Sequence, residues 1–236
     1  MLKTLFNYSH RLERRLCPPP PPGLVSYSQC GEDMLVNYLF GLRNIAQPSY
    51  LDLGAHDPFY LSNTGFFYRK GCRGINVEAN PDLIGNFQQW RPEDTTLNVG
   101  IAAAEGVADF YVMENKLLST FSREESETLQ GFGHRLKRVE SVRLTTLDKI
   151  LAIHRQGIFP DFLSLDVEGL DLAILATIDF ERSWPKIICV EAAEYSPKGT
   201  GKRRSALIDF LVARGYHEYA NTNLNAIMVR NQFWFV

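Results

Sequence analysis

From Tyr50 onward, short apolar runs alternate with stretches of helical period, and this alternation constrains the fold more than any other feature of the chain. The runs are 50–54, 74–78, 95–101, 162–166 and 187–191, and the helical stretches are 31–42, 62–70, 81–90, 145–154, 171–177 and 203–213. A strand that returns parallel to its neighbour needs a long crossover, usually a helix, so the pattern predicts βαβ units and a parallel sheet. A last pair of strands is predicted at 216–220 and 225–230. Residues 102–144 fit less well; Gly106, Gly131, Gly133 and scattered polar residues predict a hairpin plus a mobile loop over the site. The 236 residues suit one large α/β domain.

Composition narrows the function classes. With 45% apolar and 22% charged residues and a formal net charge of −2, the chain shows no bulk attraction for nucleic acid, and none is expected as a partner. Cys17, Cys30, Cys72 and Cys189 are widely spaced, without a structural-zinc pattern, which predicts a reduced, cytoplasmic chain. No run of apolar residues is long enough for a membrane span, and the N-terminus lacks the apolar stretch of a secretory signal. Residues 1–17 read as a basic amphipathic helix, with Leu2, Leu5, Phe6, Leu12 and Leu16 near one face and Lys3, Arg11, Arg14 and Arg15 on the remainder. Pro18 to Pro22 end it in a stiff polyproline spacer, which divides an appendage, 1–22, from a domain at 23–236. Such a helix packs on its own domain, on a sister subunit in a homo-oligomer, or on a membrane surface.

Four of the five parallel-strand candidates carry an acid at or near their carboxyl end: Asp52, Glu78, Asp166 and Glu191. Open α/β sheets bind ligands outside that end, so these carboxylates are expected to converge on one crevice. Gly54 follows the first run, where a tight turn lets backbone approach a ligand. Glu78 closes the second strand, where a carboxylate accepts both hydroxyl protons of a ribose. A nicotinamide enzyme would show G-x-G-x-x-G, and the two later glycines are missing here. A nucleoside without a pyrophosphate fits better. The stretch Gly199-Thr200-Gly201-Lys202 resembles part of a phosphate loop, but Ser196 and Arg203 stand where glycine and Ser or Thr are required. It reads instead as an acceptor-facing loop, and Lys202, Arg203 and Arg204 as a solvated face or a contact to an anionic acceptor.

Several separate motifs then agree in order and spacing. They are Tyr27-Ser28-Gln29-Cys30-Gly31-Glu32-Asp33, Leu51-Asp52-Leu53-Gly54-Ala55, Ser62-Asn63-Thr64, and Gly71 through Val77-Glu78-Ala79-Asn80-Pro81. Leu118-Ser119-Thr120-Phe121, Thr146-Leu147-Asp148, Leu165-Asp166-Val167-Glu168-Gly169 and Asn225-Ala226-Ile227 follow. Over about residues 26–230 the chain resembles the FkbM family of methyltransferases. The resemblance implies a class I methyltransferase fold, a Rossmann-like, doubly wound, mostly parallel seven-stranded sheet of order 3-2-1-4-5-7-6, with S-adenosylmethionine as methyl donor. It also implies that Asp52, Gly54 and Ala55 flank the methionine part, that Glu78 holds the ribose, and that Ala79 and Asn80 lie beside the adenosine. Gln29 and Gly31 would line the same pocket; a second reading makes Gln29 and Asp33 capping groups for the helix at 31–42. His56 departs from the glycine or asparagine expected at its position.

Asp166 and Glu168 fall beside the expected sulfonium. An oxygen acceptor must lose its proton, and Asp166, Glu168, His56 and Glu191 are candidates to take it, in that order. Glu168 also reads as a helix-start carboxylate answering the helix dipole. Some methyltransferases with this sheet hold Mg²⁺ between the fourth and fifth strands, where Asp166 and Glu191 stand here. Ala192 and Ala193 leave out the additional ligand often found there, so a metal is not favoured. The expected reaction is O-methylation of a sugar hydroxyl on a glycan or secondary metabolite. The alternative from another class is a non-catalytic nucleoside-binding protein on the same fold.

Overall fold

The computed structural model describes residues 23–167, 169–193, 201 and 204–235. The N-terminal helix and proline spacer expected at 1–22, together with Glu168, Lys202 and Arg203, lie outside the described residues.

Seven strands form the central sheet: β1 (Tyr50–Leu53), β2 (Gly74–Val77), β3 (Thr95–Leu97), β7 (Phe162–Leu165), β8 (Ile187–Glu191), β9 (Tyr216–Asn221) and β10 (Asn225–Arg230). Their spatial order is β3-β2-β1-β7-β8-β10-β9. Counted in chain order among themselves, they read 3-2-1-4-5-7-6. The numbering jumps because a second sheet interrupts the sequence: β4 (Gly100–Ile101), β5 (Gly106–Met113) and β6 (Leu136–Thr145), in the order β4-β6-β5. The first five strands of the large sheet run parallel, and β10 is antiparallel to both β8 and β9.

Helices cover both faces because the strands are apolar on both. Leu51, Leu53, Leu163 and Leu165 pack with Leu147, Ile150 and Leu151 of α5 (Leu147–Arg155), Ile174 and Leu175 of α6 (Asp171–Leu175), and Leu207 and Leu211 of α7 (Ser205–Ala213). Tyr50, Phe162 and Cys189 turn the other way, as the two-residue period of a strand requires. They meet Val36, Leu39 and Phe40 of α1 (Glu32–Leu42) and Phe66 and Phe67 of α2 (Gly65–Arg69). Between β2 and β3 runs α3 (Pro81–Trp90), which starts on local chemistry: Pro81 at its first position, and Asn80 accepting the Asp82 N–H at 3.1 Å. A short α8 (Asn231–Trp234), not foreseen from the sequence, follows β10.

Two stretches differ from the sequence expectation. The run 95–101 is not one strand. It breaks at Asn98, whose side-chain amide donates to the carbonyls of Glu78 and Ala79 at 2.9 and 3.0 Å, and Gly100 and Ile101 pair with β6 instead. Within 102–144 the hairpin is present as β5 and β6, but the connection carries a 3₁₀ turn (Lys116–Leu118) and α4 (Arg123–Gly131) where an irregular loop was expected. Asn115 and Ser122 cap these turns by accepting the N–H of Leu117 and of Glu125.

Candidate active site

Register alone aligns the chemistry. Leu53 is level with Val77 and with Leu165, and Leu165 with Val190. The next residues, Gly54, Glu78, Asp166 and Glu191, therefore stand side by side at the carboxyl edge of the sheet. The edge is closely drawn at Gly54: the N–H groups of Gly54 and Ala55 both donate to Val77 O, at 3.0 and 3.1 Å, and Asp166 N donates to Leu53 O at 3.0 Å. Gly54 has φ +81°, and a Cβ there would lie 1.8 Å from Asp166 O. No residue with a side chain fits that turn.

Above this edge lies a cavity of about 150 Å³. Gly54, His56, Glu78 and Asp166 form its polar wall, and Ala79, Asn80, Val99 and Ile101 flank it. Its cover comes from the second sheet and its connection: Phe110, Lys116, Leu117, Thr120 and Phe121, with the Phe110 and Phe121 rings edge to face at 4.7 Å. The hairpin is thus the element that closes the pocket.

Glu78 is the best-defined acid in the wall. One carboxylate oxygen accepts the His56 N–H at 2.8 Å and the other the Asn80 N–H at 2.6 Å, and each oxygen retains a lone pair for a ligand. Burial pushes its carboxyl up to about 7; the two N–H groups oppose this, and the charge of Asp52 adds to it.

Asp166 opens onto the crevice on one side and is crowded by protein on the others. Among the described residues its carboxylate has no hydrogen-bond partner. Loss of hydration comes first in raising it to about 6, Asp171 and Asp52 add to that, and Arg204 opposes. Beside it, Nη1 of Arg204 lies 2.8 Å from Glu191 Oε2 and 3.1 Å from Asp171 Oδ2. Glu191 is raised to about 7, by burial first and by Asp166 next. A guanidinium therefore already lies against the Glu191 carboxylate as an ion-pair partner, although Oε2 accepts no hydrogen bond among the described residues. Among the described residues no group of three or more His, Cys, Asp or Glu side chains could hold a metal.

The other expected site residues lie around this cavity rather than in its wall. Asp52 is buried two residues before Gly54 and accepts the Thr64 hydroxyl at 2.5 Å. Burial raises its carboxyl, while Thr64 and Arg91 pull the other way. Ala55 is buried, and Gln29 is exposed on the segment before α1. Gly31 begins α1 with φ +89°. Its neighbours brace that segment: Asp33 accepts from Tyr27 N, Ser26 Oγ and Ser28 Oγ, and Glu32 from Cys30 N, Thr222 Oγ1 and Asn225 Nδ2. The two acids of the Tyr27–Asp33 motif thus tie the chain before α1 to the helix and to the turn before β10. Glu168 lies outside the described residues.

Sequence reasoning missed a buried polar network behind the wall. Arg91 has no exposed surface, and it donates from Nε to Asp94, from Nη1 to Pro58 O, and from Nη2 to Thr64 Oγ1 and Asn76 Oδ1. Asp94 also accepts the Tyr50 hydroxyl and Gly74 N. Thr64 relays this network to Asp52. The nearest signal was Arg91-Pro92-Glu93-Asp94 just past an amphipathic helix, which reads equally well as a solvated turn.

A doubly wound sheet of this order, with a covered, acid-edged cavity at the carboxyl end of its first strands, defines the class I methyltransferases. The sequence narrows the class further, since residues 52–218 match the family model described as Methyltransferase FkbM domain. The chain belongs to that family, and its methyl donor is S-adenosylmethionine. Solved structures similar to it include a 1,6-didemethyltoxoflavin-N1-methyltransferase from Burkholderia thailandensis with bound 1,6-didemethyltoxoflavin and S-adenosylhomocysteine. That likeness has 10% identity over 97% of this chain and 85% of the other, with TM-score 0.41. A caffeoyl-CoA O-methyltransferase candidate from Staphylococcus aureus is similar at 9% identity over 97% and 98%, with TM-score 0.48. The family assignment rests on the sequence match and the sheet order, not on these likenesses. No curated protein matches the chain by sequence. Among the described residues no helix is long and apolar enough to cross a membrane.

Proposed function

We propose that the chain O-methylates a sugar hydroxyl on a glycan or secondary metabolite, in the cytoplasm, through a single domain at 23–236. The observation that carries this reading is Asp166: a carboxylate at the rim of the cavity, raised to about 6 and without a hydrogen-bond partner among the described residues. A hydroxyl acceptor needs a base near neutral pH, and such a group suits that task. The residues present also suit the donor. Gly54 leaves room at the turn, Glu78 retains acceptor capacity on both oxygens, and His56 presents two ring nitrogens without partners among the described residues.

In this reading Glu78 would hold the ribose, Ala79 and Asn80 would flank the adenosine, and Gly54 and Ala55 would lie beside the methionine part. Asp52 acts from behind, through Thr64, and Gln29 and Gly31 would approach from the preceding segment. When bound, S-adenosylmethionine would supply a methyl group activated on a sulfonium, open to displacement by the acceptor oxygen with the carbon–sulfur electron pair left on sulfur. Asp166 takes the hydroxyl proton, with Glu168 as its neighbour in sequence, and Arg204 keeps Glu191 and Asp171 compensated.

Two variants test this reading. Glu78→Ala should weaken S-adenosylhomocysteine binding by about ten- to a hundredfold in calorimetry, since a charged hydrogen-bond acceptor is lost. Asp166→Asn should retain that affinity and lose about 10²–10⁴ in methyl transfer to a panel of glycosides, with EDTA without effect. Unchanged affinity in the first variant would move the donor site elsewhere. Wild-type transfer in the second would remove the base. Binding without transfer to any acceptor in the wild type would favour the binding-protein alternative.

A further inference from the structure

One side chain in the cavity wall holds its polar atoms buried and without a partner among the described residues. Both ring nitrogens of His56 are buried and lack a partner among the described residues, although the residue lines the cavity with Glu78, Lys116 and Asp166. Native proteins rarely bury a polar atom without a partner, and each such atom calls for an explanation. The backbone is also unusual, because His56 holds φ +50°, a conformation that glycine or asparagine adopts more readily. Its own N–H is spent on Glu78, which holds the backbone of His56 against that carboxylate.

We propose that His56 is a direct contact for the nucleoside donor, its neutral imidazole giving one hydrogen bond and taking one from the ligand that Glu78 would hold. This assignment rests on the donor reading above and differs from a role as proton acceptor. The chemistry is complementary. An ionised Glu78 only accepts, whereas a neutral imidazole both donates and accepts, as ribose hydroxyls and the amino-acid end of the donor also do.

Charge gives the contact a second consequence. S-adenosylmethionine carries a sulfonium cation and S-adenosylhomocysteine does not. Burial, with Lys116 adding to it and Asp57 opposing, holds the ring below its ordinary pKa, so it is uncharged at neutral pH. Glu78 and Asp166 face the same cavity from the ends of β2 and β7. As pH falls, protonation of His56 beside Lys116 penalises the cationic donor more than the neutral product.

Calorimetry on the full chain with both ligands, from pH 5.5 to 8, tests this in wild type, His56→Asn and His56→Ala, with thermal melts alongside. His56→Ala should weaken both ligands by about tenfold at neutral pH, and His56→Asn, which tolerates the positive φ, should weaken them less and melt no lower than wild type. The ratio of S-adenosylmethionine to S-adenosylhomocysteine affinity should fall with pH more steeply in wild type than in His56→Asn. Glu78 and Asp166 titrate in both proteins, so the difference isolates the imidazole. Unchanged affinities in folded variants, or the same ratio profile in wild type and His56→Asn, would overturn the contact alone. If wild type binds neither ligand, the donor reading falls and the contact falls with it.

Discussion

Arg91 shows how much a single residue can decide. Its guanidinium is fully buried, bonded to Asp94, Thr64, Asn76 and Pro58 O, and lies near the rings of Tyr50, Tyr68 and Phe87. Removing one partner of a buried ion pair leaves the other charged and dry. Arg91→Ala should therefore cost about 3–5 kcal/mol in urea unfolding, far more than a surface arginine would. Because Thr64 links Arg91 to Asp52, the variant should also disturb the turn at Gly54. Arg91→Met combined with Asp94→Asn should recover part of the loss, because no isolated charge remains. Equal stability of the single and double variants would show that the charge of Asp94 is not the source.

At the scale of elements, the device that matters is the hairpin over the cavity. Asp82, in the first turn of α3, accepts from Lys137 Nζ at 2.7 Å and from Arg138 Nη2 at 2.8 Å, which straps β6 to the main domain. Arg138 first, then Lys137, hold the Asp82 carboxyl well below the usual carboxylate range. A depressed carboxylate contributes above its unfolded pKa and loses that contribution only as pH falls through the folded one, so the strap persists through mild acid. The partners are partly exposed and salt screens them, so the strap governs closure rather than global stability. The double variant Lys137→Ala, Arg138→Ala should speed hydrogen exchange in β5, β6 and α4 and weaken S-adenosylhomocysteine severalfold, with little change in melting temperature. High salt should reproduce this in wild type. Unchanged exchange in the hairpin would remove the strap from the account.

For the whole molecule, the acids at the sheet edge set the pH response. Glu78 and Glu191 are raised to about 7 and Asp166 to about 6, all above the values of roughly 4 in an unfolded chain. The native state then binds more protons than the unfolded one across that window. The stability they contribute is present below the unfolded values and is lost as pH rises through 6 to 7. His56, held below its ordinary value, opposes this as pH falls. Glu32 and Asp161 are depressed and lose their contribution only in stronger acid. The ligand-free protein should melt higher at pH 5.5 than at pH 8, and Glu78→Gln with Glu191→Gln should flatten the curve. A melting temperature that climbs with pH over that span would contradict it. The sequence by itself determined what depends on near neighbours. The alternation of strand and helix was legible there, as were Gly54 as a turn glycine and Glu78, Asp166 and Glu191 as strand-end acids. The tertiary structure decided which of those acids line the cavity. Asp52 also lies near the end of a strand, yet it sits two residues before Gly54, where Thr64 bonds it and carries the Arg91 network to it. It decided too that 95–101 divides between two sheets, because Gly100 pairs with Leu144, which lies beyond β5 and α4 in the chain. Period and end residues are local properties of a chain; hydrogen-bond partners and lost hydration are set by neighbours that only folding brings together.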